Sequence, residues 1–436
     1  MSRQEQSRQR RCGDVRLKGF SDRASFEEAI AWLDAHGRPG SPAQNIPAQN
    51  IEEVSVDAAL GRVLAEPIGA PADIPATDSA AVDGYALRSA ETEGATDYNP
   101  LLFTLTLNAT LNQPSHPLPL AGAAMVSAGT PLPGGADAVL PFDATQLTGT
   151  TLEIFAAVAA GSGVERRGQQ VRAGTALLEA RRILRPQDAG LLASVGIDRV
   201  RVARLPRVRL VIAGPKRFTG RPPTGDANGP MLRGLIERDG GMVVSMVVSM
   251  AETMVETMIE TMHAAKPRCE AIGKAIATPG ADVILVAGRT GTGLDDEAPL
   301  ALAKVGELAI HGVALRPGGS AGMGLAGSTP VLLLPGDPLG CWCAYELLAG
   351  RLIRSLGGRS PELPQLVREA EVGRKIVSAI GFVDLCRVRL VDGRVEPVGS
   401  AEFGSLASSV RADGFVVIPA SLEGYAPGTR VKVHLD

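Results

Sequence analysis

The stretch from Ala281 to Pro338 limits the possible folds of this chain more than any other. Its apolar run Val283–Ala287 has the length of a strand buried on both faces, and the next six residues, 288–293, contain three glycines. Asp295 and Asp296 then begin a helical pattern. Strand, glycine-rich loop and helix in this order predict an α/β sheet whose loop N–H groups suit a phosphate or another anion.

Two further loops follow apolar runs in the same stretch. One is Arg316–Ser320 after the run 311–315, and the other is Pro335–Pro338 after the run 331–334. Because parallel strands lead to one edge of a sheet, we expect the three loops to meet there. A single glycine loop is weak evidence of a phosphate site, but three in order predict a ligand pocket at this edge.

Size and composition exclude several classes of protein. At 436 residues the chain is too long for one core, which predicts several domains. The net charge of −3 gives no overall attraction to nucleic acid or to an anionic membrane. No apolar run approaches the roughly 18 residues of a membrane span. Five cysteines without metal-ligand spacing favour a reduced, cytoplasmic location, and Cys341 and Cys343 are predicted to pack in a helical core.

Local patterns suggest how the chain divides. Ser25 with Glu28 three residues later predicts a capped helix over 25–36, and Asp392-Gly393 predicts a tight hairpin. Methionines every four residues from Met242 to Met262 suggest a helix that packs in a core. The predicted divisions are a disordered basic tail over 1–20, an elongated domain over 21–70 and 161–205, a β-rich insert over 71–160, an α/β domain over 206–358 and a C-terminal β domain over 359–436.

Five motifs in this order resemble the molybdopterin molybdenumtransferase family, the molybdate insertases related to the E domain of gephyrin. Residues 78–86 resemble the family's Ser-Ala-Met-Asp-Gly-Tyr-Ala, and residues 128–139 resemble its Thr-Gly-Ala-Pro-x-Pro-x-Gly-Ala-Asp-Ala-Val. The glycine loop with its aspartates at 287–296 is the third match. Residues 316–320 resemble Lys-Pro-Gly-Lys-Pro, and residues 334–338 resemble Leu-Pro-Gly-Asn-Pro. The resemblance runs over almost the whole chain after the tail.

The resemblance implies a fold and a reaction. The fold is a central three-layer α/β molybdopterin-binding domain with an elongated N-terminal region, a β-rich insert and a barrel-like C-terminal β domain. The substrates are adenylylated molybdopterin and molybdate, with Mg²⁺ assisting hydrolysis of the adenylate. The site is closed by the insert of a partner subunit in a homodimer, and an adenylyltransferase or a molybdoenzyme is a further partner. Nucleic acid and membranes are not expected partners.

The same resemblance assigns roles to residues of this chain. Asp83 and Asp296 match catalytic aspartates of the family and are the expected Mg²⁺ ligands, because a divalent ion between two anions needs carboxylate oxygens. The expected pterin-binding residues are Gly84, Gly288, Arg289, Thr290, Gly291, Thr292, Gly293, Arg316, Pro317, Gly318, Ser320, Pro335, Gly336 and Asp337.

Several positions depart from the family's motifs and leave alternatives open. Acidic residues are replaced by Gln169 and Gln170 and by Pro215 with Lys216, and the loop's second lysine is Gly319. Fewer carboxylates predict weaker Mg²⁺ binding, so the first alternative is a non-catalytic relative that retains the pterin or the finished cofactor as a carrier. An adenylyltransferase of the related fold would share the glycine loop but not the insert or the tail.

Each catalytic candidate also has a purely structural interpretation. Asp83 can be the corner of a β-hairpin, because Asp-Gly pairs favour tight turns. Asp296 can be an acid that the dipole favours at a helix N-terminus.

Overall fold

The structure is a computed structural model that describes residues 14–37, 46–106, 117–214, 226–248, 268–399 and 405–436. The chain divides into two compact units. The first unit comprises Glu53–Leu60 and Glu66–Arg201, and the second comprises Met1–Glu52, Gly61–Ala65 and Val202–Asp436.

The first twelve strands lie in or next to the first unit. They are β1 (Ile51–Ser55), β2 (Ile68–Gly69), β3 (Ser79–Ala80), β4 (Gly84–Leu87), β5 (Leu101–Thr106), β6 (Gly122–Val126), β7 (Ala138–Pro141), β8 (Thr145–Thr148), β9 (Thr151–Ile154), β10 (Val164–Glu165), β11 (Ala176–Leu178) and β12 (Arg199–Ala203). Six of them form a sheet in the order β7-β4-β6-β5-β9-β8. Tyr85, Phe103 and Leu152 pack on one face of this sheet in an aliphatic and aromatic core.

The helices of the described residues are mostly short. They are α1 (Phe26–His36), α2 (Pro186–Ser194), α3 (Asn228–Arg238), α4 (Arg268–Ala277), α5 (Ala298–Val305), α6 (Pro338–Ala344), α7 (Gly350–Leu356) and α8 (Leu406–Val410). The predicted cap of α1 is confirmed, because Ser25 accepts from the Glu28 amide and the Glu28 carboxylate accepts from the Ser25 amide. In the described parts of the chain, no helix combines the length and apolar character that crossing a membrane requires.

A second six-stranded sheet forms the centre of the second unit. Its region contains β13 (Arg207–Ile212), β14 (Met242–Val248), β15 (Val283–Ala287), β16 (Glu307–His311), β17 (Leu315–Arg316), β18 (Gly322–Ala326) and β19 (Thr329–Leu334). The sheet order is β14-β13-β15-β19-β18-β16. β14, β13, β15 and β19 pair in parallel, and β18 is antiparallel to both of its neighbours, β19 and β16.

Alternate residues of β15 pack on opposite faces of this sheet, which makes the domain three-layered. Leu285 joins the core under α3, α6 and α7, whereas Val286 joins the core under α4 and α5. All five residues of β15 are buried, which confirms the strand predicted from the apolar run. Cys341 and Cys343 are fully buried in α6, so their predicted core packing is confirmed.

Most of the remaining strands form a closed barrel, whereas Ile376–Val377 and Gly424–Tyr425 pair with each other in a separate small sheet. The remaining strands are β20 (Leu366–Val372), β21 (Ile376–Val377), β22 (Val383–Val391), β23 (Arg394–Pro397), β24 (Gly414–Ile418), β25 (Gly424–Tyr425) and β26 (Arg430–Leu435). The order β22-β23-β20-β26-β24 closes because β24 also pairs with β22. Asp392 and Gly393 have φ of 49° and 77° and join β22 to β23, which confirms the predicted hairpin.

The predicted methionine helix is wrong where it can be compared with the structure. Met242 and Met246 lie in β14, an edge strand parallel to β13. A step of four residues also returns to the same face of a strand, and the valines between these methionines favour strand. The later methionines of the repeat lie outside the described residues.

Candidate functional site

The first glycine loop leaves β15 beside the end of β19. The amide of Gly288 donates to the Leu334 carbonyl at 2.9 Å. Gly288 has a φ of 102°, and a Cβ there would lie 3.1 Å from the Ala213 carbonyl oxygen. A side chain at this position would therefore strain the backbone and crowd the neighbouring strand.

Asp296 closes this loop rather than starting the next helix. Its Oδ2 accepts from the Gly293 amide at 2.7 Å, and the side chain is buried. A Cβ on Gly291 would lie 2.8 Å from the same oxygen, so the glycine lets the carboxylate approach the loop. The helix α5 begins only at Ala298, so the prediction that Asp295 and Asp296 start the helix is wrong. The loop turns back on itself through Asp296 before the helix can begin.

The three loops meet, as predicted. The hydroxyl oxygens of Thr290 in the first loop and Ser320 in the second lie 3.1 Å apart. A Cβ on Gly336 in the third loop would lie 3.3 Å from the Gly288 Cα. The Asn228 side-chain amide, at the start of α3, donates to the Gly336 carbonyl at 3.1 Å. Hydroxyl groups, backbone amides and an amide side chain therefore line one edge of the sheet.

The second loop reaches this edge by a different route from the predicted one. The prediction required a parallel strand over 311–315. Instead β16 already ends at His311, and the chain then enters β17, which pairs with β22 of the barrel. The run is divided between two sheets because Gly312 turns the chain with a φ of 87°.

Arg316 and Asp337 have visible structural contacts. The Arg316 guanidinium donates to both oxygens of the fully buried Asp384, at 2.7 and 2.6 Å. Asp337 caps α6 by accepting from the Gly340 amide at 2.6 Å. These contacts fix the second and third loops.

Arg289 turns its side chain toward the strand ends. Its Nε donates to the Ala213 carbonyl at 3.3 Å, and its Nη1 lies 3.6 Å from an Asp295 carboxylate oxygen. The residue has a φ of 60°, which is uncommon for a residue with a side chain. The positive charge of Arg289 is thus partly balanced by the Asp295 carboxylate in the same segment.

His311 belongs to the site although no sequence motif identifies it. Its Nε2 lies 2.8 Å from the Thr290 carbonyl, which can only accept, so Nε2 carries the proton. Burial lowers the pKa of His311 from its ordinary value, although the bond to Thr290 acts in the opposite direction. The neutral ring thus holds the backbone of the first loop through this hydrogen bond. A lone histidine in an apolar run carries no signal of this contact.

The other catalytic candidate lies in the first unit. Asp83 is exposed, and its Oδ1 accepts from the Ala128 amide at 2.8 Å. This bond joins the motif at 78–86 to the motif that begins at residue 128, just after β6. The hairpin interpretation is wrong, because β3 pairs with β10 while β4 lies between β6 and β7. Gly84 is required by this packing, since a Cβ there would lie 2.2 Å from the Leu140 carbonyl oxygen.

The glutamines that replace family acids make local bonds in the first unit. Gln169 accepts from the Arg166 amide at 2.8 Å, and Gln170 donates to Glu165 at 2.7 Å. Pro215, Lys216 and Arg217 lie outside the described residues. Asp226, the first described residue after them, accepts from amides at the start of α3.

No metal cage is visible within the ranges that the structure describes. Nowhere in them do three or more histidine, cysteine, aspartate or glutamate side chains gather as they would to hold a metal ion. Mg²⁺ differs from zinc in this respect, because it commonly uses one or two protein carboxylates together with substrate phosphates and water. The exposed carboxylate of Asp83 fits that kind of site, and Asp296 uses one carboxylate oxygen, Oδ2, to accept from the Gly293 amide.

The fold and the loop cluster define a multidomain protein built around an α/β domain in which three loops meet at the strand ends. Models of known families match the chain in order: the MoeA N-terminal region (domain I and II) over 24–196, a probable molybdopterin binding domain over 210–355, and the MoeA C-terminal region (domain IV) over 369–435. The two MoeA models together cover more than half of the chain, and the molybdopterin binding model lies between them. The chain belongs to the MoeA family.

Individual relatives agree with this assignment over nearly full length. A Methanocaldococcus jannaschii protein named for molybdopterin biosynthesis is 28% identical, over 95% of this chain and 96% of its own length. The molybdopterin molybdenumtransferase of Staphylococcus epidermidis is 25% identical, over 90% and 92%. The crystal structure of a molybdopterin biosynthesis MoeA protein from Pyrococcus horikosii is 28% identical, with a TM-score of 0.71 over 95% of this chain and 99% of that chain.

Proposed function

We propose that this protein acts in molybdenum cofactor biosynthesis by inserting molybdate into adenylylated molybdopterin with release of AMP. The observation that carries the proposal is the meeting of three loops through Thr290, Ser320, Gly288 and Gly336 in the domain that matches the probable molybdopterin binding model. A full-length relative named molybdopterin molybdenumtransferase favours this reaction over the carrier alternative.

The proposed reaction needs no oxidant or reductant. Water cleaves the phosphoanhydride bond, so the nucleotide leaves as AMP and the pterin keeps its phosphate. The two dithiolene sulfurs form bonds to molybdenum, and one molybdate oxygen leaves as water with the two thiol protons. Molybdenum keeps its oxidation state. The protein must therefore hold two anions close together and admit one water.

The residues of the three loops have separate proposed tasks. Backbone amides of 288–293, with the hydroxyl groups of Thr290 and Ser320, bind the anionic groups of the pterin. Pro317, Gly318, Pro335 and Gly336 let the backbone come close to the ligand. Arg316 and Asp337 hold the second and third loops through Asp384 and the α6 cap.

The catalytic carboxylates are Asp83 and Asp296, each acting from its own unit. A Mg²⁺ ion bound by such carboxylates would offset the repulsion between molybdate and the phosphates. Gly84 allows the backbone next to Asp83 to pack against β7 and so orients that carboxylate.

The proposed assembly is a cytoplasmic homodimer in which the insert of the partner subunit closes the pterin site. An adenylyltransferase that supplies the adenylylated pterin and a molybdoenzyme that accepts the product are the further partners. Both follow from the chemistry, since one reaction must make the anhydride and another must use the finished cofactor.

Following AMP directly tests the proposal. Purified protein is incubated with adenylylated molybdopterin, molybdate and Mg²⁺, and AMP and protein-bound molybdenum are measured together. We expect AMP to appear in step with molybdenum incorporation, and omission of molybdate or Mg²⁺ to slow both. Tight retention of the adenylylated pterin without AMP would contradict the proposal and support the carrier.

Isosteric variants test the two aspartates. We expect Asp83→Ala, Asp296→Ala and the amides Asp83→Asn and Asp296→Asn to abolish molybdenum insertion and leave pterin binding largely intact. The amides keep an oxygen that can accept from Ala128 and Gly293, so their effect reports the charge and not the loop. Asp97→Asn, at an exposed position of the first unit, is the matched control. An Asn variant with full activity would remove that residue from the mechanism.

A further inference from the structure

The segment before α1 lies along the first two loops of the site. The Leu17 amide donates to the Thr292 carbonyl at 2.7 Å, and the Arg16 guanidinium donates to the Leu294 carbonyl at 3.2 Å. Residues 14–20 were assigned to a disordered tail by sequence and are instead bonded to the glycine loop. Further along, Ala24 exchanges backbone bonds with Gly312 and Ala314 at 3.0 and 2.8 Å. The segment thus carries its side chains to the binding edge of the sheet.

Arg23 is the cation that this segment places beside the second loop. Its guanidinium carbon lies 4.8 Å from the centre of the Phe20 ring and 5.8 Å from that of the Phe382 ring. Its Nε is buried without a hydrogen-bond acceptor, and no ion pair joins it to a carboxylate within the described residues. The neighbouring Arg316 differs, because Asp384 balances its charge.

Arg23 is a candidate for binding an anion, because its guanidinium is partly removed from water and no carboxylate of the described residues balances its charge. Burial lowers the pKa of Arg23 from its ordinary value, because the charged form loses water and gains no carboxylate. The guanidinium stays protonated, since arginine does not release its proton in proteins. An anion that reached this guanidinium would supply the missing charge and hydrogen-bond acceptors.

Gly319 shows where such an anion belongs. An ideal Cβ on Gly319 would lie 3.6 Å from the Arg23 Nε, so a side chain at 319 would extend toward the Arg23 guanidinium. Position 319 corresponds to a lysine in the motif that this loop resembles. The next residue, Ser320, places its hydroxyl against Thr290 of the first loop. Arg23 therefore lies next to the position at which the motif has a lysine, in the same loop as the Ser320 hydroxyl.

We infer that Arg23 binds a tetrahedral oxyanion at the second loop and supplies the positive charge that Gly319 does not. The proposed function identifies this oxyanion as molybdate or as the pterin phosphate, and the inference rests on that function for the choice between them. Arg23 is thus a substrate-binding residue contributed by the N-terminal segment.

Binding of inorganic molybdate and inorganic phosphate to the full chain, measured separately by calorimetry, tests the inference. We expect Arg23→Gln to raise the dissociation constant of one oxyanion by about ten-fold or more, because charge-assisted bonds to a partly buried guanidinium are lost. An effect on molybdate alone assigns the site to molybdate, and an effect on phosphate assigns it to the pterin phosphate. A wild-type protein that binds neither would overturn the inference.

A compensating variant separates binding from structure. We expect Arg23→Gln with Gly319→Lys to bind within about three-fold of the wild type, since the new ammonium enters the same space. Arg394→Gln, at an exposed arginine of the barrel, should leave both affinities unchanged. A loss in Arg23→Gln that follows a lowered melting temperature and is not restored by the lysine would show a structural role and refute the inference.

The result stays distinct from that of the proposed function. Oxyanion affinity is measured without pterin, so an inactive wild-type protein whose Arg23→Gln variant loses affinity would refute the reaction and keep the site. An active protein whose Arg23→Gln variant keeps both affinities would support the reaction and refute the Arg23 site.

Discussion

Gly84 is the residue whose packing permits the least change. It lies in β4 between β6 and β7, where a Cβ would be 2.2 Å from the Leu140 carbonyl oxygen. We expect Gly84→Ala to destabilise the protein by about 1–3 kcal/mol through overpacking, measured by urea unfolding. Gly190→Ala is the matched control, because nothing lies near that glycine in α2; it should stabilise by about 1 kcal/mol. Equal stability of the two variants would contradict the packing.

His311 gives the site a dependence on pH. Its folded pKa lies below the ordinary value of 6.5, so the unfolded state binds the proton more readily. Stability is therefore complete above about pH 6.5 and falls as the pH drops through the folded pKa. We expect His311→Gln to lose less unfolding free energy than the wild type between about pH 7.5 and 5. Identical pH curves for the wild type and His311→Gln would contradict this.

Single residues were predictable where their role is local. The Ser25 and Glu28 cap follows from a spacing of three residues, and Gly288 follows from the strand that precedes it. The contact of Thr290 with Ser320 joins residues thirty positions apart. This contact depends on how the chain leaves the α/β sheet after β16 and enters β17 in the barrel sheet, so no local pattern indicates it. The same holds for Arg23 beside Gly319.

At the scale of elements, β17 attaches the second loop to the barrel. Arg316 on β17 and Asp384 on β22 form a buried ion pair with two hydrogen bonds, which joins neighbouring strands. We expect Asp384→Ala to destabilise the protein by about 3–5 kcal/mol, because it leaves the Arg316 charge buried and unbalanced. Glu371→Ala, which breaks an exposed pair with Arg394, should cost about 1 kcal/mol or less. Similar losses in the two variants, measured by denaturant unfolding, would argue against this role of the pair.

A helix or strand was predictable when its residue pattern was consistent with only one kind of secondary structure. The apolar runs 283–287 and 331–334 predicted β15 and most of β19. The methionine repeat failed because a period of four suits a strand face as well as a helix, and pairing with β13 decided between them. The run 311–315 failed because two sheets compete for it.

At the scale of the whole molecule, the proposed dimer makes the two catalytic aspartates come from different subunits. Asp83 lies in one compact unit and Asp296 in the other, and the insert of the partner is proposed to close the site. Mixing the inactive Asp83→Asn and Asp296→Asn proteins and letting subunits exchange should then restore activity. Half of the dimers at random exchange would be mixed, each with one intact site of two, so we expect about a quarter of wild-type AMP release.

Two controls make the mixing experiment decisive. Each variant mixed with itself should stay inactive, and the double variant Asp83→Asn/Asp296→Asn mixed with either single variant should give no recovery, because no site then has both carboxylates. A particle mass near twice 45.2 kDa by light scattering establishes the dimer in the same samples. Exchanged dimers without recovered AMP release would place both carboxylates in one subunit, since each mixed dimer would then contain two broken sites.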